Sequence, residues 1–211
     1  MADYHLPDVP EPRVVVLLEG RSDVAAVRTL AVARGLDETD GRLELVDMGG
    51  ATNVRRHLDV LLRHPDPPRV LGMCDAGEVA FFRTALTAHG IAVPDSKVMG
   101  AVGFHVCHRD LEDELIRALG ADQVLAVLDE LELVDRFAAL QQQPAWRGRS
   151  LHAQLRRFAG VASGRKALFG AALAAALSPQ RVPGPLATLL DQIETALEHS
   201  THDGQGALPH G

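Results

Sequence analysis

The chain has 211 residues, 46% of them apolar and 23% charged, an ordinary globular composition long enough for one good core with an appendage or for two small ones. Its formal net charge of −7 taken alone argues against a nonspecific nucleic-acid binder. No apolar run reaches the roughly 20 residues needed to cross a bilayer, and Cys74 and Cys107 sit inside apolar stretches where buried free thiols, not a disulfide framework, are expected. With no signal peptide pattern in view, the expected location is the cytoplasm.

The first dozen residues, MADYHLPDVPEP, are Pro-rich and read as a loose lead-in. Arg13 to Leu18 is a continuous β-branched and Leu run, the pattern of a strand covered on both faces. Ser22 then reads as a helix N-cap, with Val24, Val27, Leu30 and Ala31 at helical spacing up to Gly35, a C′ glycine. Leu43 to Met48 is a second strand, followed by the Gly49-Gly50 turn and a helix from about Thr52 to Arg63. Arg69 to Cys74 is a third strand ending in Asp75, with a helix from Glu78 to His89 behind it. Ser96 to Val102 reads as a fourth strand, which Phe104 to Cys107 continues or follows as a fifth, and Asp110 to Leu119 is again helical. This alternation predicts an α/β fold with a mainly parallel sheet, flanked by helices and joined by right-handed crossovers. Beyond Gly120 no strand-like run occurs, and Pro144, Pro179, Pro183 and Pro185 punctuate helical patterns. The expected organisation is an α/β domain over 13–120, a helical extension over 121–199, and flexible tails at 1–12 and 200–211.

Charge is segregated along the chain. Residues 1–135 hold 24 acids against 13 bases, whereas residues 136–190 hold no acid and eight bases, among them Arg147, Arg149, Arg156, Arg157, Arg165 and Lys166. Such segregation sets an anion-attracting flank beside an acidic pocket; its plainer reading is a solvated basic helix face. Trp146, the single tryptophan, lies next to Arg147 and Arg149 and reads either as a stacking platform for a base or as an anchor of the extension to the core.

Ligands of open α/β sheets bind outside the carboxyl ends of the strands. Glu19 closes the first strand and Asp75 the third, so both reach one edge, and Asp23 lies in the first turn of the helix between them. Asp110, Glu112 and Glu114 open the helix after the last strand. Carboxylates gathered at one mouth repel one another unless a cation neutralises them, and Mg²⁺ or Mn²⁺ is the expected cofactor. Each acid also has a plainer explanation: Asp23 favours the helix dipole, Asp110 is an N-cap, and Glu112, Asp113 and Glu114 are ordinary first-turn acids. A charge that ends an apolar strand, as Glu19 does, is the hardest to explain structurally. His105, Cys107 and His108 form no usual zinc spacing.

VVLLEGRSD resembles the glutamate motif of TOPRIM domains, and VLGMCDAGE stands where those domains carry Asp-x-Asp. MGGATNV, RDLEDELI and SGRKALFGAALAAAL together resemble the TOPRIM portion of the OLD (overcoming lysogenization defect) family nucleases, over roughly residues 13–177. The resemblance implies a metal-dependent nuclease acting on nucleic acid, DNA first, with Glu19 as metal ligand or general acid/base and Asp23 and Asp75 as metal ligands. It assigns Glu112 to a second metal, Lys166 to the scissile phosphate, and Gly20, Gly49 and Gly50 to close backbone turns. Position 77 is Gly where the second Asp belongs, so one ligand is missing or is supplied by Glu78, and one metal or two remain open. No Walker A sequence occurs, so the implied ATPase is dispensed with or is a separate partner chain. The alternative is a catalytically degenerate TOPRIM module that binds nucleic acid or that ATPase.

Overall fold

The structure, a computed structural model, describes residues 12–161 and 165–203. The lead-in through residue 11, residues 162–164 of the downstream motif and the tail from 204 onward lie outside them. The elements run β1 (Val14–Leu18), α1 (Arg21–Ala33), β2 (Leu43–Asp47), α2 (Val54–Leu61), β3 (Arg69–Cys74), α3 (Val79–Ala88), α4 (Ser96–Ala101) and β4 (Phe104–Val106). A helical series follows: α5 (Leu111–Leu119), α6 (Ala121–Glu130), α7 (Val134–Gln142), α8 (Leu151–Val161), α9 (Lys166–Ala175) and α10 (Gly184–Asp203).

The sheet is wholly parallel with strand order β2-β1-β3-β4. All five residues of β1 are buried, because the strand is covered on both faces. Val14, Val16 and Leu18 face α1 and the C-terminal helices; Val15 and Leu17 face α2 and α3. The chain therefore winds outward from β1 to β2 and then crosses to β3 on the other side of β1. The crevice between the carboxyl ends of β1 and β3 is the topological switch point, where such sheets bind their ligands.

Two local expectations are corrected. The helix α1 begins at Arg21 with Gly20, not Ser22, at its N-cap, and the Gly20 N–H donates to Asp23 Oδ2 at 3.0 Å. At its other end Gly35 (φ 75°) takes the expected C′ place, with the Leu36 N–H bonded to Ala31 O and the Gly35 N–H to Val32 O. Ser96–Ala101 is a helix, not a strand: Asp95 Oδ1 accepts the Val98 N–H at 2.9 Å and caps it. The fourth strand is Phe104–Val106 alone, paired to β3 from Gly72 to Cys74.

Helices α5 to α10 pack on the same sheet face as α1. Phe137, Phe158 and Phe169 form successive edge-to-face contacts at 5.5 and 6.1 Å, joining α7, α8 and α9. Helix α9 approaches α1 closely at Gly170, where an added Cβ would lie 3.0 Å from Ser22 O. Backbone cannot yield as a side-chain tip can, so overpacking outweighs the helix propensity gained. Gly170→Ala is expected to cost about 1 kcal/mol, read in thermal melting as a fall of about 2–4 °C. An unchanged or raised midpoint would refute this packing.

Among the described residues no helix is long and apolar enough to cross a membrane. Cys74 and Cys107 are free and buried; burial pushes both thiols up and keeps them protonated.

Candidate active site

Glu19 directly follows β1, and its Oε1 accepts the Asp75 N–H at 2.8 Å. That bond ties the carboxyl ends of β1 and β3 across the switch point. The Glu19 carbonyl accepts the Gly50 N–H at 2.8 Å, which draws in the loop after β2. Gly49 (φ 68°) and Gly50 (φ 118°) hold that loop in the left-handed region, where side chains are disfavoured. Gly20, by contrast, is extended (φ −157°); its contribution is the N–H given to Asp23. Burial raises the Glu19 carboxyl above its ordinary range. The Asp75 N–H pulls it back, and the charges of Glu78 and Glu112 raise it further.

Asp75 is pushed up to about 8, first by burial and then by Glu19, Asp23, Asp110 and Glu112. Asp23 is pushed up to about 7 by burial, Glu112 and Glu19, with the Gly20 N–H and Lys166 acting against the rise. Lys166 stands in the first turn of α9, and its charge is felt at Asp23 because α9 packs on α1, with Gly170 close to Ser22. The fold thus brings Glu19, Asp23, Asp75 and Glu112 into one electrostatic group, with Glu78 at its edge. Among the described residues none of these five has a basic nitrogen within 4.0 Å.

The acids of α5 divide by face: Asp110, Asp113 and Glu114, three and four apart, share one, and Glu112 falls on another. Asp110 Oδ1 caps the helix by accepting the Asp113 N–H at 2.7 Å, and its Oδ2 takes Arg156 Nε at 2.8 Å and Nη2 as well. Both oxygens of Asp110 are therefore engaged. Asp113 and Glu114 are buried, and Arg117 binds both, at 3.0 and 2.5 Å. Glu114 Oε1 also accepts the His108 N–H at 2.7 Å. Reading these two as ordinary first-turn acids missed their burial; Arg117 at i+3 and i+4 was the signal that could have disclosed it. Glu112, on the other side of the helix, is left to the carboxylate group.

The bases of the run make different contacts. Arg156 is committed to Asp110, Arg157 lies 5.6 Å over the Trp146 ring, Arg147 donates to Gln142 O at 3.2 Å, and Arg165 lines a separate hollow with Leu133 and Arg136. Arg149 is exposed. His105 Nε2 meets Gln192 Oε1 at 3.0 Å and Cys107 is buried in the core, so these two side chains serve packing.

Among the described residues no three or more His, Cys, Asp or Glu side chains form a group that could hold a metal ion as they stand. The donors are all carboxylate oxygens; burial first, and then their mutual repulsion, raises the proton affinities of Glu19, Asp23 and Asp75, and Lys166 offsets only part of the rise at Asp23. Such a set suits a hard divalent cation that retains several waters, as Mg²⁺ does, and not an all-protein cage. At position 77 an added Cβ would meet nothing within 4 Å, so the glycine there is not demanded by packing. A hollow of 490 Å³ around Arg13, Asp66, Arg69 and Gln192 opens at the amino-terminal ends of β1 and β3, the opposite edge from the carboxylates.

No known family profile matches the sequence, and no curated protein matches it. Solved structures share its fold. The C-terminal region of the OLD protein of Xanthomonas campestris pv. campestris, phased with platinum, matches with a TM-score of 0.67 at 21% identity, over 92% of this chain and 98% of that one. The same region phased with mercury gives 0.65 at 20% identity, over 90% and 98%. The C-terminal region of the Burkholderia pseudomallei OLD protein gives 0.60 at 17% identity, over 88% and 98%. The chain therefore has the fold of the C-terminal region of OLD proteins, a TOPRIM-like α/β fold with a helical C-terminal region.

Proposed function

We propose that this chain hydrolyses phosphodiester bonds in nucleic acid, DNA first, with a divalent cation held by Glu19, Asp23, Asp75 and Glu112. The observation that carries the reading is the gathering of Glu19, Asp23 and Asp75 at the switch point, with Glu19 Oε1 on the Asp75 N–H and, among the described residues, no basic nitrogen within 4.0 Å of them; burial and mutual repulsion raise their proton affinities. When bound, Mg²⁺ or Mn²⁺ supplies Lewis acidity toward a phosphoryl oxygen and toward water. The chain's own groups do the rest. Glu19, oriented by the Asp75 N–H, accepts the proton of the attacking water. Lys166 donates to a non-bridging oxygen of the scissile phosphate, where charge develops. Glu78 stands in for the acid missing at position 77, while Asp110 keeps α5 and Arg156 in place.

The test is cleavage of supercoiled DNA, single-stranded DNA and RNA in Mg²⁺, in Mn²⁺ and in EDTA. Divalent-dependent nicking or shortening of at least one substrate is expected. Inertness toward all of them at saturating metal would favour the second reading, a module that binds nucleic acid without cutting it, for which Gly77 is the supporting observation.

A further inference from the structure

A cavity of 390 Å³ opens between the loop that precedes α5 and the flank of α8, lined by Arg109, Asp110, Glu112, Trp146, Arg156 and Arg157 among others. Its size falls within the range of about 300–1,000 Å³ typical of ligand sites. Arg156 and Asp110 neutralise each other within it, which leaves Arg109 and Arg157 as its uncommitted cations. Arg157 is held by an aromatic support. Its guanidinium lies over Trp146, Trp146 packs on the core, and the Trp146 carbonyl accepts Gln154 Nε2 at 2.9 Å. Gln154 is itself buried and accepts Gln141 Nε2 at 2.8 Å. A guanidinium held against the face of an indole by cation–π attraction keeps its N–H donors available to an anion. Arg109 is positioned from the other wall: its carbonyl accepts the Ala76 N–H at 2.9 Å, so this loop is tied to the residue after Asp75. Glu112 belongs both to the cavity lining and to the carboxylate group. The cavity therefore continues directly from the site where the scissile phosphate is proposed to bind.

We propose that this cavity is a second phosphate subsite, binding a neighbouring phosphodiester of the same nucleic-acid strand through Arg157 and Arg109, with Trp146 holding Arg157 in its donor orientation. The inference rests on the nucleic-acid reading above and gives it a direction, since the strand leaves the carboxylates past Glu112 toward α8. Contacts of this kind are made to the backbone and carry no base information.

The experiment measures binding of fluorescein-labelled oligonucleotides of unrelated sequence by anisotropy, in EDTA, over a salt series. Arg157→Gln and Arg109→Gln are each expected to weaken binding about tenfold, equally for all sequences, and to lower the slope of log K against log salt by about 1. Arg157→Lys should retain the slope. Arg55→Gln, on α2 at the other face of the sheet, should match the parent chain. Trp146, the single tryptophan, should change its emission when the parent chain is saturated and stay constant in Arg157→Gln. An unchanged salt slope in Arg157→Gln, or no emission change at saturation, would overturn the subsite. Cleavage in Mn²⁺, assayed separately, keeps the two proposals apart. Binding with these signatures and no cleavage sinks the hydrolase reading and leaves the subsite standing, whereas cleavage whose KM ignores Arg157→Gln does the reverse.

Discussion

Glu19→Gln will lower divalent-dependent cleavage by about 10³-fold or more, the scale expected when a carboxylate serves as both proton acceptor and metal ligand. The substitution is nearly isosteric, and its amide oxygen can still accept the Asp75 N–H that Oε1 accepts at 2.8 Å. The tie between β1 and β3 therefore survives. What disappears is one negative charge facing Glu78 and Glu112, so the metal-free variant should melt at the same temperature as the parent chain or higher. Lost cleavage with retained or increased stability separates a chemical role from structural damage. Single-turnover cleavage of end-labelled DNA, beside thermal melting in EDTA, measures both. A variant that cuts within tenfold of the parent would remove Glu19 from the chemistry.

The metal-free protein is expected to lose stability as pH rises from about 6.5 to 8.5, by on the order of 5–10 °C in melting temperature. Asp23 and Asp75 are pushed up to about 7 and about 8 from an ordinary 3.8. A carboxyl with a raised folded-state value binds its proton more tightly in the fold than in the unfolded chain. Its contribution is complete below about pH 4 and is lost as pH climbs through the folded value. His105 works in the opposite sense: burial lowers its value, so it favours the fold increasingly as pH rises toward its unfolded value near 6.5. The window above that point belongs to the carboxylates. Mg²⁺ at pH 8 should restore the midpoint and flatten the profile, because an ion bound only by the folded state stabilises it and displaces the protons. Asp75→Asn should flatten the metal-free profile without Mg²⁺. A metal-free midpoint level or rising between pH 6.5 and 8.5 would show that burial and mutual repulsion do not raise these carboxyls.

Much of the architecture is written locally. The all-buried β1, the half-buried β2 and the helix α1 with its Gly35 terminus follow from apolar spacing and turn chemistry, which act within a few residues. The segment 96–102 does not yield to the same treatment. SKVMGAV is short and apolar enough to suit either element, and the decision rests on the Asp95 cap and on Gly72 pairing with Phe104. The acids of α5 show the same limit. Asp110, Glu112, Asp113 and Glu114 look alike in sequence, yet one caps and binds Arg156, two are buried against Arg117, and one faces the carboxylates.

By itself, then, the sequence determined the order of strands and helices outside the segment 96–102, the strand ends at which Glu19 and Asp75 stand, and the separation of acidic from basic segments, since periodicity and charge are read residue by residue. Only the tertiary structure decided which of those charges meet. The charge of Lys166 acts on Asp23 because α9 packs against α1 near Ser22, and Arg156 is spent on Asp110 while Arg157 lies over Trp146. Those contacts join parts of the chain far apart in sequence, and burial and Coulomb energy depend on distance in space.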